Sequence, residues 1–185
     1  MALLAEQLVD EWLNRKGFFT VRGIKEGVDE IDLLGVRPSK DNSNRLEAWH
    51  VEVQVSFNPN AYISKLNKDH MKELGVSSKN SAKVRPTELL QRTVADWVYG
   101  KFSKKRKQKM REDRWAGLDW QFKLVHAVAK YPVELETIAS HNIELVPLET
   151  VLHDLEATDG EMRGYSGTDI LEIISYYDAN KLREV

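Results

Sequence analysis

Leu4, Leu8, Trp12 and Leu13 recur at helical spacing over residues 3–16, with charged side chains between them and Gly17 after them. The spacing predicts a short amphipathic helix with one apolar stripe, stopped at the glycine. Beyond it the period drops to two. GFFTVRGI, VDEIDLLGVR and AWHVEVQVSF alternate apolar and polar positions, and polar PSKDNSN separates the last two, so three consecutive strands are predicted. Asn58 and Pro59 end the third. From there to residue 115 the chain is polar and helix-favouring, broken by a loop at GVSSKNSAKVRP. Alternation returns in FKLVHAVAK, a short helix follows near PVELETIAS, and NIELVPL reads as a last strand. A final helix is predicted over 166–183, with Leu171, Ile174 and Tyr177 on its apolar face.

These elements describe one α/β domain over 1–185, with a mixed central sheet flanked by helices. Residues 1–60 and 118–155 form its core. The helical region 60–117 between the third and fourth strands is far longer than a minimal crossover, as expected of an insertion that shapes a cleft. With 42% hydrophobic and 30% charged residues in 185, the chain can bury a single core. It has no cysteine, so disulfides and thiolate zinc sites are excluded. No apolar run approaches the roughly 18 residues of a membrane span, and acids interrupt the apolar pattern of MALLAEQLVDEWLNRKG, against a signal peptide. A cytoplasmic protein without membrane attachment is expected.

The net charge of −2 conceals a segregation of sign. Residues 60–115 hold fifteen Lys and Arg against six Asp and Glu, whereas residues 131–185 hold three against twelve. Seven of the cations, Lys101, Lys104, Lys105, Arg106, Lys107, Lys109 and Arg111, crowd into eleven residues. A run of that density is either a solvated surface or a phosphate-binding surface, whose contacts would make binding salt-dependent. Trp97, Trp115 and Trp120 bracket it, as core anchors or as rings that stack bases. His70, His126, His141 and His153 show no metal-ligand spacing, and no glycine-rich phosphate loop is present, which argues against nucleotide hydrolysis.

The third strand carries the candidate chemistry. Side chains alternate across a strand, so Val51, Val53, Val55 and Phe57 face the core while His50, Glu52, Gln54 and Ser56 face the other way. On the second strand the same rule sets Glu30 and Asp32 opposite Ile31 and Leu33. A hairpin would bring Asp32 to Glu52, and two close carboxylates repel unless a cation lies between them. Mg²⁺ suits such a place, since it takes hard oxygen ligands and commonly uses one or two carboxylates with water and phosphate oxygens. An isolated Glu-x-Gln also fits the wet face of an antiparallel sheet. His50 shares the face as an ordinary polar residue or an acid–base group.

The order helix, strand, EIDLLG, turn, HVEVQ resembles the PD-(D/E)XK nucleases, the restriction-endonuclease-like superfamily, and within it the branch of Holliday junction resolvases and Mrr-type restriction enzymes. The resemblance spans residues 3–57 and implies a three-layer α/β/α fold hydrolysing DNA phosphodiesters with Mg²⁺ or Mn²⁺. It assigns the metal to Asp32, Glu52 and the Val53 carbonyl, with Glu6 of the first helix matching an acid that these branches often place near it. Asp29 and Glu30 are rivals for the role of Asp32. Gln54 stands where the family usually has lysine; it can orient water by hydrogen bonds but brings no charge. That departure leaves two expectations, a metal-dependent endonuclease and a nuclease-fold protein that binds nucleic acid or joins an assembly without cutting. The resolvase branch would add a homodimer, on which no residue pattern here bears.

Overall fold

The computed structural model describes residues 2–41, 45–56, 61–127 and 129–158. Helix α1 (Ala2–Arg15) buries Leu8, Trp12 and Leu13 of the predicted stripe together with Ala5 and Val9, while Leu4 is half-buried. It stops where Gly17 turns to φ +83, a left-handed conformation that glycine adopts without a Cβ clash. Strands β1 (Phe19–Glu26) and β2 (Asp29–Pro38) form a hairpin across Gly27 and Val28, and β3 (Leu46–Gln54) pairs antiparallel with β2. There follow α2 (Lys68–Leu74), α3 (Thr87–Val98), a π-helical turn (Tyr99–Ser103) and α4 (Lys105–Glu112). Then come β4 (Trp120–His126), α5 (Pro132–Ala139), β5 (Ile143–Pro147) and α6 (Leu148–Thr158). Strands β3, β4 and β5 run parallel, so the sheet is mixed, five strands in the order of the sequence. No helix among the described residues is long and apolar enough to cross a membrane.

Each face of the sheet has its own core. Leu33, Trp49, Val51, Val53, Val125 and Val146 pack with α1 and α6. On the other face Phe102, Leu124, Ile138 and Ile143 pack with α3 and α5, and Ile24, Ile31 and Leu34 meet Met110 of α4. Trp97 and the pair Trp115 and Trp120 pack against these two clusters, as core anchors do. Helix α6 was not foreseen, although Leu148, Val151, Leu152 and Leu155 repeat at helical spacing and are buried. The predicted helix over 166–183 lies outside the described residues.

Simple alternation fails on β2. Ile31 and Leu33 do not share a face, because Ile31 joins Leu34 and Met110 while Leu33 joins the α1 and α6 core. The break falls at Asp32: the β1–β2 register runs from Phe19–Val36 to Arg22–Leu33 and resumes at Ile24–Ile31, passing over Gly23 and Asp32. The β2–β3 register ends at Leu33–Val51. The strand changes faces where the ladder is interrupted, and Asp32 stands at that interruption.

A buried polar knot anchors the connection after β3. The Glu134 carboxylate of α5 accepts hydrogen bonds from the amides of Ile63 (2.7 Å) and Ser64 (2.8 Å) and from the Ser64 hydroxyl (2.5 Å). Arg85 donates to the Ser64 hydroxyl (2.9 Å) and carbonyl (2.9 Å) and to the Thr93 hydroxyl (3.1 Å), and its guanidinium lies 3.8 Å from the Tyr62 ring centroid. The helical region is thereby fixed on the same face of the sheet as His50 and Glu52.

Candidate active site

Glu52 lies near the C-terminal end of β3 with no exposed surface, so its charge has to be met by the protein. Lys101 of the π-helical turn donates to Oε2 at 2.5 Å, and Lys107 of α4 to Oε1 at 3.0 Å. Lys107 also donates to the Glu30 carbonyl. His50 Nε2 stands 3.1 Å from the same Oε1, and Arg111 of α4 donates to His50 Nδ1 at 3.0 Å. One carboxylate thus organises two ammonium groups and an imidazole, drawn from three elements.

Asp32 reaches the site from the interruption on β2, where its Oδ2 accepts the Val53 amide at 2.8 Å in place of a ladder carbonyl. Burial first, and the Glu52 charge second, push its carboxyl up from 3.8 to about 6, against the opposing pull of Lys101. Lys101 feels the converse: burial lowers its basicity, but Glu52 and Asp32 more than offset this and leave it raised. Glu6, half-buried on α1, is raised by its own partial burial and then by Asp32, close enough for the two charges to interact. Burial, with Arg111 and Lys107 behind it, holds His50 well below its ordinary value, so the ring is neutral. The rivals for the role of Asp32 stand elsewhere. Asp29 is held by Lys104 (2.7 Å) and Arg106 (3.2 Å), the Lys104 bond chiefly lowering its pKa, while Glu30 is exposed beside Lys25.

The basic run is divided by its helix. Phe102 and Met110 are the only apolar residues between 101 and 112, and both are buried. Lys107 and Arg111, three before and one after Met110, share its inward face and are buried with it. Lys101 turns to Glu52, Lys104 and Arg106 hold Asp29, and Lys109 pairs with Asp113 on the surface beside exposed Lys105. Three of the seven cations therefore belong to the candidate site, a role that the run itself did not signal. The available signal was the lone Met110, which marks the inner face of an otherwise charged helix.

Gln54, at the end of β3, is half-buried in a cleft with Tyr62, Lys65, Asn80 and Ala127. Val53 turns its side chain into the α1 and α6 core. Among the described residues no three carboxylates or imidazoles converge as a metal-binding cluster. Asp32 and Glu52 are oxygen donors of the kind a hard divalent cation takes, and both Glu52 oxygens are held by Lys101, Lys107 and His50.

Asp32 supplies a pH prediction. A carboxyl whose folded pKa exceeds its unfolded value stabilises fully below the unfolded value and loses that contribution as pH rises through the folded one. For Asp32 the window runs from 3.8 to about 6. Asp32→Asn keeps an oxygen to accept the Val53 amide and removes the charge, so above that window it is expected to be more stable than the native chain by on the order of 2 kcal/mol. Denaturant unfolding at pH 4 and pH 8 checks this: the difference should be small at pH 4 and full at pH 8, and equal stability at pH 8 would contradict the assignment.

No family model matches the chain, and no curated protein matches it. Among solved structures, it is similar to a crystal structure of a protein of unknown function, with 14% identity, 97% of each chain covered and a TM-score of 0.40.

Proposed function

We propose that the protein is a metal-dependent DNA endonuclease with a three-layer, restriction-endonuclease-like fold, its site centred on Asp32 and Glu52. The observation that carries the reading is the pairing itself: a buried carboxylate raised to about 6 beside a second buried carboxylate, with Lys101 against both. A perturbed carboxyl buried beside a second carboxylate is a common mark of a site built for charge chemistry.

Asp32 and Glu52, with the Val53 carbonyl, would hold Mg²⁺ or Mn²⁺, which when bound acidifies water into a nucleophile and offsets charge on a phosphate. The chain's own residues do the rest. Lys101 is the exposed member of the lysine pair, with 27% of its side chain open against 3% for Lys107. Its ammonium can therefore meet a phosphate oxygen while it holds Glu52, and it supplies the positive charge that Gln54 lacks. Lys107 holds Glu52 Oε1 from the buried side. The Gln54 amide orients the attacking water by neutral hydrogen bonds. His50, neutral and enclosed, donates to Glu52 and takes no proton from the reaction. Lys105 and Lys109 on the outer face of α4 offer the backbone contacts that make DNA binding salt-dependent.

A second reading, a nuclease-fold subunit that binds nucleic acid without cutting, is favoured by one observation: both oxygens of Glu52 already have cationic partners, as in a purely structural ion cluster. Nicking of supercoiled and branched DNA with Mg²⁺ or Mn²⁺, with an EDTA control, separates the two. Cleavage that requires the ion and is lost in Asp32→Asn is the expected result; DNA retained in a gel shift but never cut would exchange the first reading for the second.

A further inference from the structure

Arg111 is buried on the inner face of α4, and its Nη1 makes two hydrogen bonds. One runs to the Phe102 carbonyl at 2.9 Å, in the π-helical turn that carries Lys101. The other runs to His50 Nδ1 at 3.0 Å, on the strand that carries Glu52. One guanidinium therefore ties together the two backbone segments that present the Lys101–Glu52 pair.

The direction of these bonds determines the imidazole. A guanidinium donates and cannot accept, so Nδ1 must offer a lone pair and the ring proton must sit on Nε2. That nitrogen stands 3.1 Å from Glu52 Oε1 and donates to it. The opposite tautomer would set donor against donor at Arg111 and lone pair against carboxylate at Glu52. Rotation gives no escape, since the ring packs against Phe102 (centroids 4.9 Å apart) and edge-on to Phe122 (5.8 Å). Oε1 is thus shared by His50 and Lys107, which leaves Oε2 for Lys101.

We propose that Arg111 and His50 are positioning residues: they lock one imidazole tautomer and, through it, hold Glu52 with Oε2 turned to Lys101. The inference rests on the nuclease reading of the site and extends it to two residues that touch neither metal nor phosphate. It assigns a chemical reason to a buried arginine whose Nη1 donates to acceptors on two different segments.

The test uses the full chain labelled with ¹⁵N at histidine, read by long-range proton–nitrogen correlation of the His50 ring. The native protein is expected to show the Nε2–H pattern, and Arg111→Met a mixture of tautomers. Arg111→Met and His50→Ala should each lower the turnover of Mg²⁺-dependent cleavage by about 10- to 100-fold with KM for DNA unchanged, the usual consequence of losing an outer support. His50→Gln, whose amide N–H can still reach Glu52, should recover part of the loss and serves where the alanine variant does not fold. An Nδ1–H or doubly protonated His50 in the native chain overturns the lock whatever the activity, as does an unchanged ring pattern in Arg111→Met. A native chain that never cuts defeats the nuclease reading, and the ring pattern then still decides whether the tautomer is locked.

Discussion

Glu52→Ala is expected to abolish Mg²⁺-dependent cleavage and to lower the free energy of unfolding by about 3–5 kcal/mol, the cost of stripping one partner from a buried ion pair. Lys107 is the reason for the second effect. Its side chain is 3% exposed, and without Glu52 its ammonium retains the Glu30 carbonyl but no opposite charge within hydrogen-bond reach. The His50 Nε2–H loses its acceptor in the same stroke. Against a typical total stability of about 5–15 kcal/mol, such a loss is large enough to confuse inactivity with unfolding. Glu52→Gln separates them, since the amide keeps the shape and one accepting oxygen. It is expected to remain folded, with a smaller loss of stability, and still to lose cleavage by at least about 100-fold, because a neutral amide can neither hold a divalent cation firmly nor offset Lys101. Urea unfolding beside a nicking assay measures both; a folded Glu52→Gln chain that cuts at the native rate would remove Glu52 from the chemistry.

The other large effect is expected at Lys101 and not at Gln54. Lys101→Ala should lower cleavage by about 10²- to 10³-fold, the scale on which removal of a preorganised charge-stabilising donor is felt. Gln54→Ala should cost less than about tenfold, since a neutral hydrogen bond to water contributes on the order of 1 kcal/mol net. The contrast follows from position as well as charge. Gln54 stands on the strand at the place where the resembled nucleases usually carry lysine, whereas Lys101 arrives from a π-helical turn some fifty residues further along and touches Glu52 directly. Its side chain is partly open, so its removal orphans no deeply buried charge as long as Lys107 remains on Glu52. Circular dichroism of Lys101→Ala should therefore match the native chain. Side-by-side turnover numbers for the two variants decide the matter, and a Gln54→Ala defect larger than that of Lys101→Ala would return the role to the strand.

Much of the sheet was legible because its signals are local. Alternation located all five strands, and the change of period at Gly17 separated α1 from β1. The juxtaposition of Asp32 and Glu52 could also be read, since a hairpin and a two-residue period bring those positions to adjacent strands. Alternation misled at Ile31, where the ladder passes over Gly23 and Asp32 and the strand changes faces. Helix α6 was overlooked next to β5, although its apolar spacing is regular, because strand and helix abut at Pro147 and Leu148 without a loop to separate them.

The basic run shows where local reading ends. As a string of seven cations it reads as a charged surface, solvated or phosphate-binding, and only the lone Met110 hints that Lys107 and Lys105 face differently. Only the folding of α4 onto the sheet, with Met110 set against Ile31 and Leu34, decides that Lys107 and Arg111 turn inward while Lys105 stays in water. The sequence by itself determined the α/β class, the strand order along the chain and the two carboxylates, because each depends on residues that are neighbours or lie across one hairpin. The tertiary structure decided which cations meet those carboxylates and which tautomer His50 adopts. A buried charge selects its partners through the low-dielectric contacts of segments about fifty to sixty residues apart in the chain, and no periodicity within either segment encodes that meeting.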